Sequence, residues 1–185
     1  MRIISGKYKH RRLNPPAGLP VRPTTDYARE SLFNILNTYW DLDGVSVLDV
    51  FAGTGTVGFE FASRGASSVT AVDVNERCVK FINQTAASFG ALNVKAYRKD
   101  AFVFLKLAKT SYDFIFADPP FDMADIAEVH KYVFEHNLLK PGGWLIIEHS
   151  ERIGLSACSH LFQHRIYGKV HFSIFANEDS DEKTT

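Results

Sequence analysis

From residue 45 onward the chain alternates short apolar runs, rich in β-branched and aromatic residues, with longer segments in which apolar residues recur at helical spacing. The runs at 45–50, 68–73, 94–98, 112–117 and 144–148 suit strands buried on both faces. The segments between them, 56–64, 75–89, 101–108 and 124–137, suit helices packed on those faces. Strands separated by helices pair in parallel, so this alternation predicts a doubly wound sheet. Gly65 and Gly90 fall where helix C-caps belong, and Asn75 is a good N-cap. The end of the chain changes pattern: 163–167 and 170–175 flank Gly168-Lys169, which predicts an antiparallel hairpin. Upstream, Ala28, Leu32, Ile35, Leu36 and Tyr39 recur on one face of a helix over 25–39, with Thr24 or Thr25 as cap and Asp26 in its first turn. Before that helix, Asn14-Pro15-Pro16-Ala17-Gly18-Leu19-Pro20 reads as a linker. The expected division is an arm and linker over 1–24, one domain over 25–176 and a disordered acidic tail over 177–185.

With 185 residues, 45% of them hydrophobic, the chain can bury one substantial core but not two of ordinary size. It has no apolar run of membrane-spanning length, and its start lacks the pattern of a signal peptide, so the expectation is a cytoplasmic protein with no membrane partner. Cys78 and Cys158 lie far apart without CxxC spacing, which argues against a disulfide framework or a thiolate zinc site. His160 and His164 are four apart near Cys158, but that spacing holds zinc only on a helix and the following residues read as a strand; no metal is expected.

A formal net charge of zero conceals an asymmetry. Residues 1–25 carry Arg2, Lys7, Lys9, Arg11, Arg12 and Arg22 and no acid, the body is mildly acidic, and the tail holds four acids against Lys183. These six basic residues form a candidate RNA-phosphate patch, the plain alternative being a solvated terminus.

The run Asp49-Val50-Phe51-Ala52-Gly53-Thr54-Gly55-Thr56-Val57-Gly58 ends a strand, turns on glycines and opens a helix, with Asp73 twenty residues after Gly53. That spacing matches a dinucleotide fingerprint, so a nicotinamide enzyme is a fair competitor. Asp49 separates the two readings, because a carboxylate at the strand tip repels a pyrophosphate yet suits the cationic groups of S-adenosylmethionine. Asp73 can accept both ribose hydroxyls, and Asp100 is the candidate acceptor for an adenine amino group. Phe51, Gly53, Gly55 and Ala101 complete the expected cofactor set. The plain readings are that Asp49 braces the loop, Asp73 supports the helix after it, and Asp100 caps the next one.

The most specific signal is Asp118-Pro119-Pro120-Phe121 at the end of a buried strand. An exocyclic amino nitrogen is a poor nucleophile because its lone pair is conjugated with the ring. A carboxylate at Asp118 and the carbonyl of Pro119 can each accept one N–H and free that lone pair. Consecutive prolines fix φ and remove backbone donors, which keeps the loop's carbonyls aimed at substrate, and Phe121 can stack on an extracted base. The four residues are the catalytic candidates; the plain alternative is a proline pair that ends a strand beside a core phenylalanine.

The two motifs in this order resemble the amino-methyltransferases of adenine N6, cytosine N4, guanine N2 or glutamine N5. Arg2-Ile3-Ile4-Ser5-Gly6, the basic Tyr8–Leu13 stretch, Arg22-Pro23-Thr24-Thr25-Asp26 and Arg29–Leu36 narrow this: over 1–176 the chain resembles the bacterial RsmD-type 16S rRNA guanine-N2 methyltransferase family. The resemblance implies a Rossmann-like class I methyltransferase fold, a mostly parallel seven-stranded sheet closed by the hairpin. It also implies S-adenosylmethionine as cofactor and, as partner, 16S rRNA or an assembling small subunit; the expected state, on which no motif bears, is a monomer. Thr54 stands where the family commonly has serine, and the basic segment diverges in detail. A DNA adenine-N6 methyltransferase shares the tetrad but usually carries an added module to read sequence, and only a hairpin and a tail follow the core.

Overall fold

The computed structural model describes residues 1–19, 26–120, 123 and 125–178. Arg22, the expected caps Thr24 and Thr25, Phe121 and the tail beyond residue 178 lie outside the described residues. In chain order the elements are α1 (Asp26–Tyr39), β1 (Ser46–Val50), α2 (Thr56–Ser63), β2 (Ser68–Asp73), α3 (Glu76–Phe89), β3 (Val94–Arg98), α4 (Ala101–Leu107), β4 (Tyr112–Ala117), α5 (Ile126–Glu135), β5 (Leu139–His149), β6 (Leu161–Tyr167) and β7 (Val170–Ala176).

The seven strands form one sheet in the order β3-β2-β1-β4-β5-β7-β6. β1 to β5 pair in parallel, β7 runs antiparallel to β5, and β6 antiparallel to β7. The doubly wound sheet with its terminal hairpin is therefore present as the alternation predicts. α1, α2 and α3 cover one face and α4 and α5 the other, each over its own apolar cluster. Asn75 caps α3, its side chain accepting from the Arg77 and Cys78 N–H groups, and Gly90 ends that helix at φ 66°. No helix among the described residues is long and apolar enough to cross a membrane.

Two regions depart from the sequence reading. β5 begins at Leu139 rather than 144, because Tyr112 pairs with Leu139 across a bulge. The Asn177 side-chain amide donates to the Leu139 and Lys140 carbonyls, and its main-chain N–H to the Gly143 carbonyl. Asn177, expected in the disordered tail, thus closes the sheet.

Residues 1–13, expected as an appended arm, are part of the core. Ile3, Tyr8 and Leu13 are buried in the cluster beneath α1, α2 and α3. The Ile4 and Ser5 N–H groups donate to the Glu60 carboxylate, and those of Lys7 and Tyr8 to the Ser63 carbonyl and hydroxyl. The segment runs along α2, from Met1 beside Thr56 to Lys7 beside Ser63, and returns until the Leu13 N–H donates to the Met1 carbonyl. Apolar residues at 3, 8 and 13 follow neither a helical nor a strand period, so pattern alone does not flag them. Arg2, Lys7, Lys9, Arg11 and Arg12 nevertheless stay exposed. The linker is held as well, since the Arg77 guanidinium donates to the Ala17 and Gly18 carbonyls.

Candidate active site

β1 lies between β2 and β4, where the winding reverses, and in such sheets ligands bind at the carboxyl ends of the strands flanking that switch point. A cavity of about 550 Å³ opens there. Its floor is the loop after β1, in which Phe51, Gly53 and Gly55 all have positive φ (59°, 55° and 70°). For a bulky residue such as Phe51 that conformation is strained, and such strain collects where a backbone is shaped for a ligand. Phe51 and Gly53 line the cavity; Gly55 does not. Gly55 instead supports the loop from behind, at the N-cap of α2, where a Cβ would come within 2.9 Å of Ile82.

The three strand-end acids all line the cavity, and each is also aimed by backbone donors. Asp49 accepts from the Gly58 N–H at 3.1 Å. Asp73 accepts from Gly53 at 2.8 Å and from Asn75 at 2.7 Å, one on each oxygen. Asp100 caps α4 by accepting from Val103 at 2.9 Å. Bracing and cavity-lining are thus combined in each residue, because a carboxylate has lone pairs for both. Asp49 carries a correction: burial pushes its carboxyl up to about 8, against the pull of the Gly58 N–H and with a further push from the charge of Asp73. At neutral pH it is mostly protonated until a cation comes near.

Ala101 lines the same wall, with Val74 and Phe102 adding apolar surface beside Asp73 and Asp100. Val74 is 66% exposed, so its side chain is open to a ligand in the cavity.

Asp118, Pro119 and Pro120, at the end of β4, complete the cavity. The Pro120 carbonyl accepts from the Met123 N–H at 2.9 Å, so it is already engaged within the protein. Of the two proline carbonyls, that leaves Pro119 as the candidate acceptor beside Asp118.

Sequence reading missed several lining residues. Glu148, at 2% exposure, closes the cavity from β5; its signal lies in the sequence, since it ends the run 144–148 as Asp73 ends 68–73. Val170 at the start of β7 also lines it, as do Thr54 and Thr56, whose hydroxyls donate to the Met1 sulfur. Thr54 and Thr56 lie within the glycine loop, whereas no local pattern marks Val170. The basic patch is divided: the main chains of Arg2 and Arg12 form an antiparallel bridge near Met1, at the cavity end of α2, while the Arg11 guanidinium lies over Phe89 at 4.8 Å, towards the far end of α3. Among the histidines, His160 stacks on Phe134 at 4.2 Å, and His164 hydrogen-bonds to His171 at 3.1 Å.

A family model described as conserved hypothetical protein 95 matches residues 1–176. The ribosomal RNA small subunit methyltransferase D of Buchnera aphidicola subsp. Baizongia pistaciae is 30% identical over 181 residues, 96% of this chain and 92% of that protein. The protein of the same name from Escherichia coli K12 is 30% identical over 191 residues, 98% of this chain and 92% of its own length. The solved structure of the Escherichia coli protein yhhF, 28% identical, superposes with a TM-score of 0.85 over 97% of this chain and 99% of that one. The family match spans the arm as well as the sheet, and with it the glycine loop and the Asp-Pro-Pro strand end, so this chain belongs to the RsmD-type family of methyltransferases.

Proposed function

We propose that the chain transfers a methyl group from S-adenosylmethionine to the exocyclic N2 of a guanine in 16S ribosomal RNA, acting as a cytoplasmic monomer on the small subunit or an assembly intermediate. The observation that carries this reading is that one cavity is lined both by the acids of β1, β2 and the β3–α4 turn and by the Asp-Pro-Pro end of β4. The names of the relatives favour ribosomal RNA over the DNA reading.

The residues present suit the cofactor. Asp73 offers acceptors for ribose hydroxyls, Asp100 for an adenine amino group, and Val74 and Phe102 apolar surface for the adenine ring, while Asp49 offers a negative charge to a cation. Bound S-adenosylmethionine supplies an electrophilic methyl group. The protein's part is to present the nucleophile: Asp118 and the Pro119 carbonyl accept the two N–H bonds of the amino group, so that its lone pair leaves conjugation. Phe121 stacks on the extracted base. Arg2, Lys7, Lys9, Arg11, Arg12 and Arg22 contact phosphates, a substrate as long as ribosomal RNA reaching both ends of the divided patch.

Labelled S-adenosylmethionine supplied with unmethylated small subunits, naked 16S rRNA and DNA in parallel, followed by nucleoside analysis, tests this reading. The expected product is N2-methylguanosine in RNA. Label recovered as N6-methyladenine, or none in either RNA substrate, would overturn it.

Asp49 gives a second expected result. Its free carboxyl is raised to about 8, and a neighbouring cation lowers it, so binding of a cationic ligand releases protons at pH 7. Affinity for S-adenosylmethionine therefore rises with pH through neutrality and levels off above about 8. Calorimetry in buffers of different ionisation heat should show more proton release by the wild type than by Asp49→Asn. Equal release by both would reduce Asp49 to a brace for the loop.

A further inference from the structure

The cavity has a second side that the motifs do not account for. Asp73 and Asp100 stand on the β2 and β3 side, Asp118 follows β4, the strand next to β1, and beyond it the wall continues through Glu148 of β5 to Val170 of β7. Val170 pairs with Tyr167 across the hairpin turn. The Tyr167 ring meets Tyr27, in the first turn of α1, edge to face at 6.0 Å and 80°. Tyr27 is 68% exposed, so most of its ring contributes nothing to the core. From Tyr27 the rim returns to the glycine loop: the neighbouring Asp26 pairs with Arg2 at 3.9 Å, and Met1 touches the cavity-lining Thr54 and Thr56. Two tyrosine rings set nearly perpendicular therefore stand beside the β5–β7 wall of the cavity, Tyr27 largely exposed and Tyr167 partly buried against the core and Phe172.

Two exposed cations lie near them, alongside the acids Asp26 and Glu30 of α1. Lys169 is exposed at the tip of the hairpin, and Arg2 has 61% of its side chain in solvent. The nearby Asp26 carboxylate is shared between Arg2 and the buried Arg29, which holds it at 2.9 Å. An exposed aromatic face flanked by lysine and arginine is what an unpaired nucleotide requires, the ring stacking on its base and the cations meeting its phosphates.

We infer that Tyr27 and Tyr167 form a stacking site for an unpaired nucleobase of the RNA that flanks the nucleotide entering the cavity, with Arg2 and Lys169 on its phosphates. The inference rests on the proposed RNA substrate. It gives the enzyme a grip on the strand beside its target, so that positioning does not depend on the extracted base alone.

The test uses the full chain with Tyr27→Ala, Tyr167→Ala, Tyr27→Phe and Tyr167→Phe, and with Leu92→Ala as a control at an 86% exposed apolar side chain in the α3–β3 turn. The readouts are KM and kcat on unmethylated small subunits, the Kd of labelled 16S rRNA, and the Kd of S-adenosylhomocysteine. Each alanine variant should raise KM and RNA Kd by about tenfold, with kcat and the S-adenosylhomocysteine Kd unchanged. Phenylalanine should restore both values, since it keeps the stacking face. Wild-type KM and RNA Kd in both alanine variants would overturn the stacking site. So would a parallel loss of S-adenosylhomocysteine binding in Tyr27→Ala, which would mark the residue as part of the fold. Absence of RNA methylation by the wild type would overturn the parent reading instead, and the RNA Kd comparison would still decide the stacking site.

Discussion

Methyl transfer by Asp118→Ala is expected to fall by on the order of 10² to 10⁴ at saturating cofactor, with the fold intact. Asp118 stands at the cavity wall immediately after β4, half-buried, and the strand beneath it is fixed by parallel pairing to β1 and β5 on either side. Removing its carboxylate therefore leaves the scaffold in place. What is lost is an acceptor whose interaction strengthens as the amino nitrogen gains positive charge during attack, so the loss falls on the transition state more than on binding. Asp118→Asn separates geometry from charge: an amide oxygen still accepts one hydrogen bond, and intermediate activity would show that aiming the N–H matters more than the negative charge. The measurement is single-turnover methylation of small subunits, with circular dichroism to confirm folding. Rates near wild type in folded Asp118→Ala would remove the reason for reading the Asp-Pro-Pro end of β4 as an active site.

Glu60→Ala is expected to lower the stability of the protein by about 3–5 kcal/mol, the usual loss when one member of a buried ion cluster is removed. Glu60 and Arg29 are both fully buried, and their side chains approach to 3.7 Å. The Glu60 carboxylate also meets the Arg64 guanidinium and accepts the Ile4 and Ser5 N–H groups. Truncation leaves Arg29 with Asp26 as its acidic partner among the described residues, and leaves two backbone donors of the N-terminal segment without their acceptor. Because Ile3, Tyr8 and Leu13 sit in the core that this carboxylate ties together, the damage should spread to the docking of residues 1–13. Glu60→Gln, which keeps an acceptor but not the charge, should lose less. Urea unfolding at an unchanged m-value reads both variants. A loss below about 1 kcal/mol in Glu60→Ala would show that Asp26 alone satisfies the buried guanidinium. Deleting residues 1–13 is for the same reason an experiment on the core before it is one on RNA contacts.

Much of this was legible in the sequence because it is local. The apolar runs at 68–73, 94–98 and 112–117 are strands with those bounds, and Asn75 caps its helix. Asp49, Asp73, Asp100 and Asp118 line one cavity because each lies at or just beyond the carboxyl end of a strand, a placement the alternation already implies, and in a parallel sheet those ends share one edge. The family could be read from motifs for the same reason: a glycine turn and a proline-locked loop are set by neighbouring residues.

What the tertiary structure decided is what depends on residues far apart in the chain. Nothing near Glu60 shows that it would receive Ile4 and Ser5 from 55 or more positions away, or that a segment reading as a solvated basic arm would bury three apolar side chains. Val170 reaches the cavity only because β7 inserts between β5 and β6, and Tyr27 meets Tyr167 only because α1 crosses the same face of the sheet. The titration of Asp49 belongs here too. Its carboxyl is an ordinary one in the sequence, and it is raised by the depth at which strand order and the α2 packing bury it. Periodicity and turn chemistry act over a few residues and so are written in the chain itself, whereas strand order, burial and the pairing of distant charges arise only when the whole core closes.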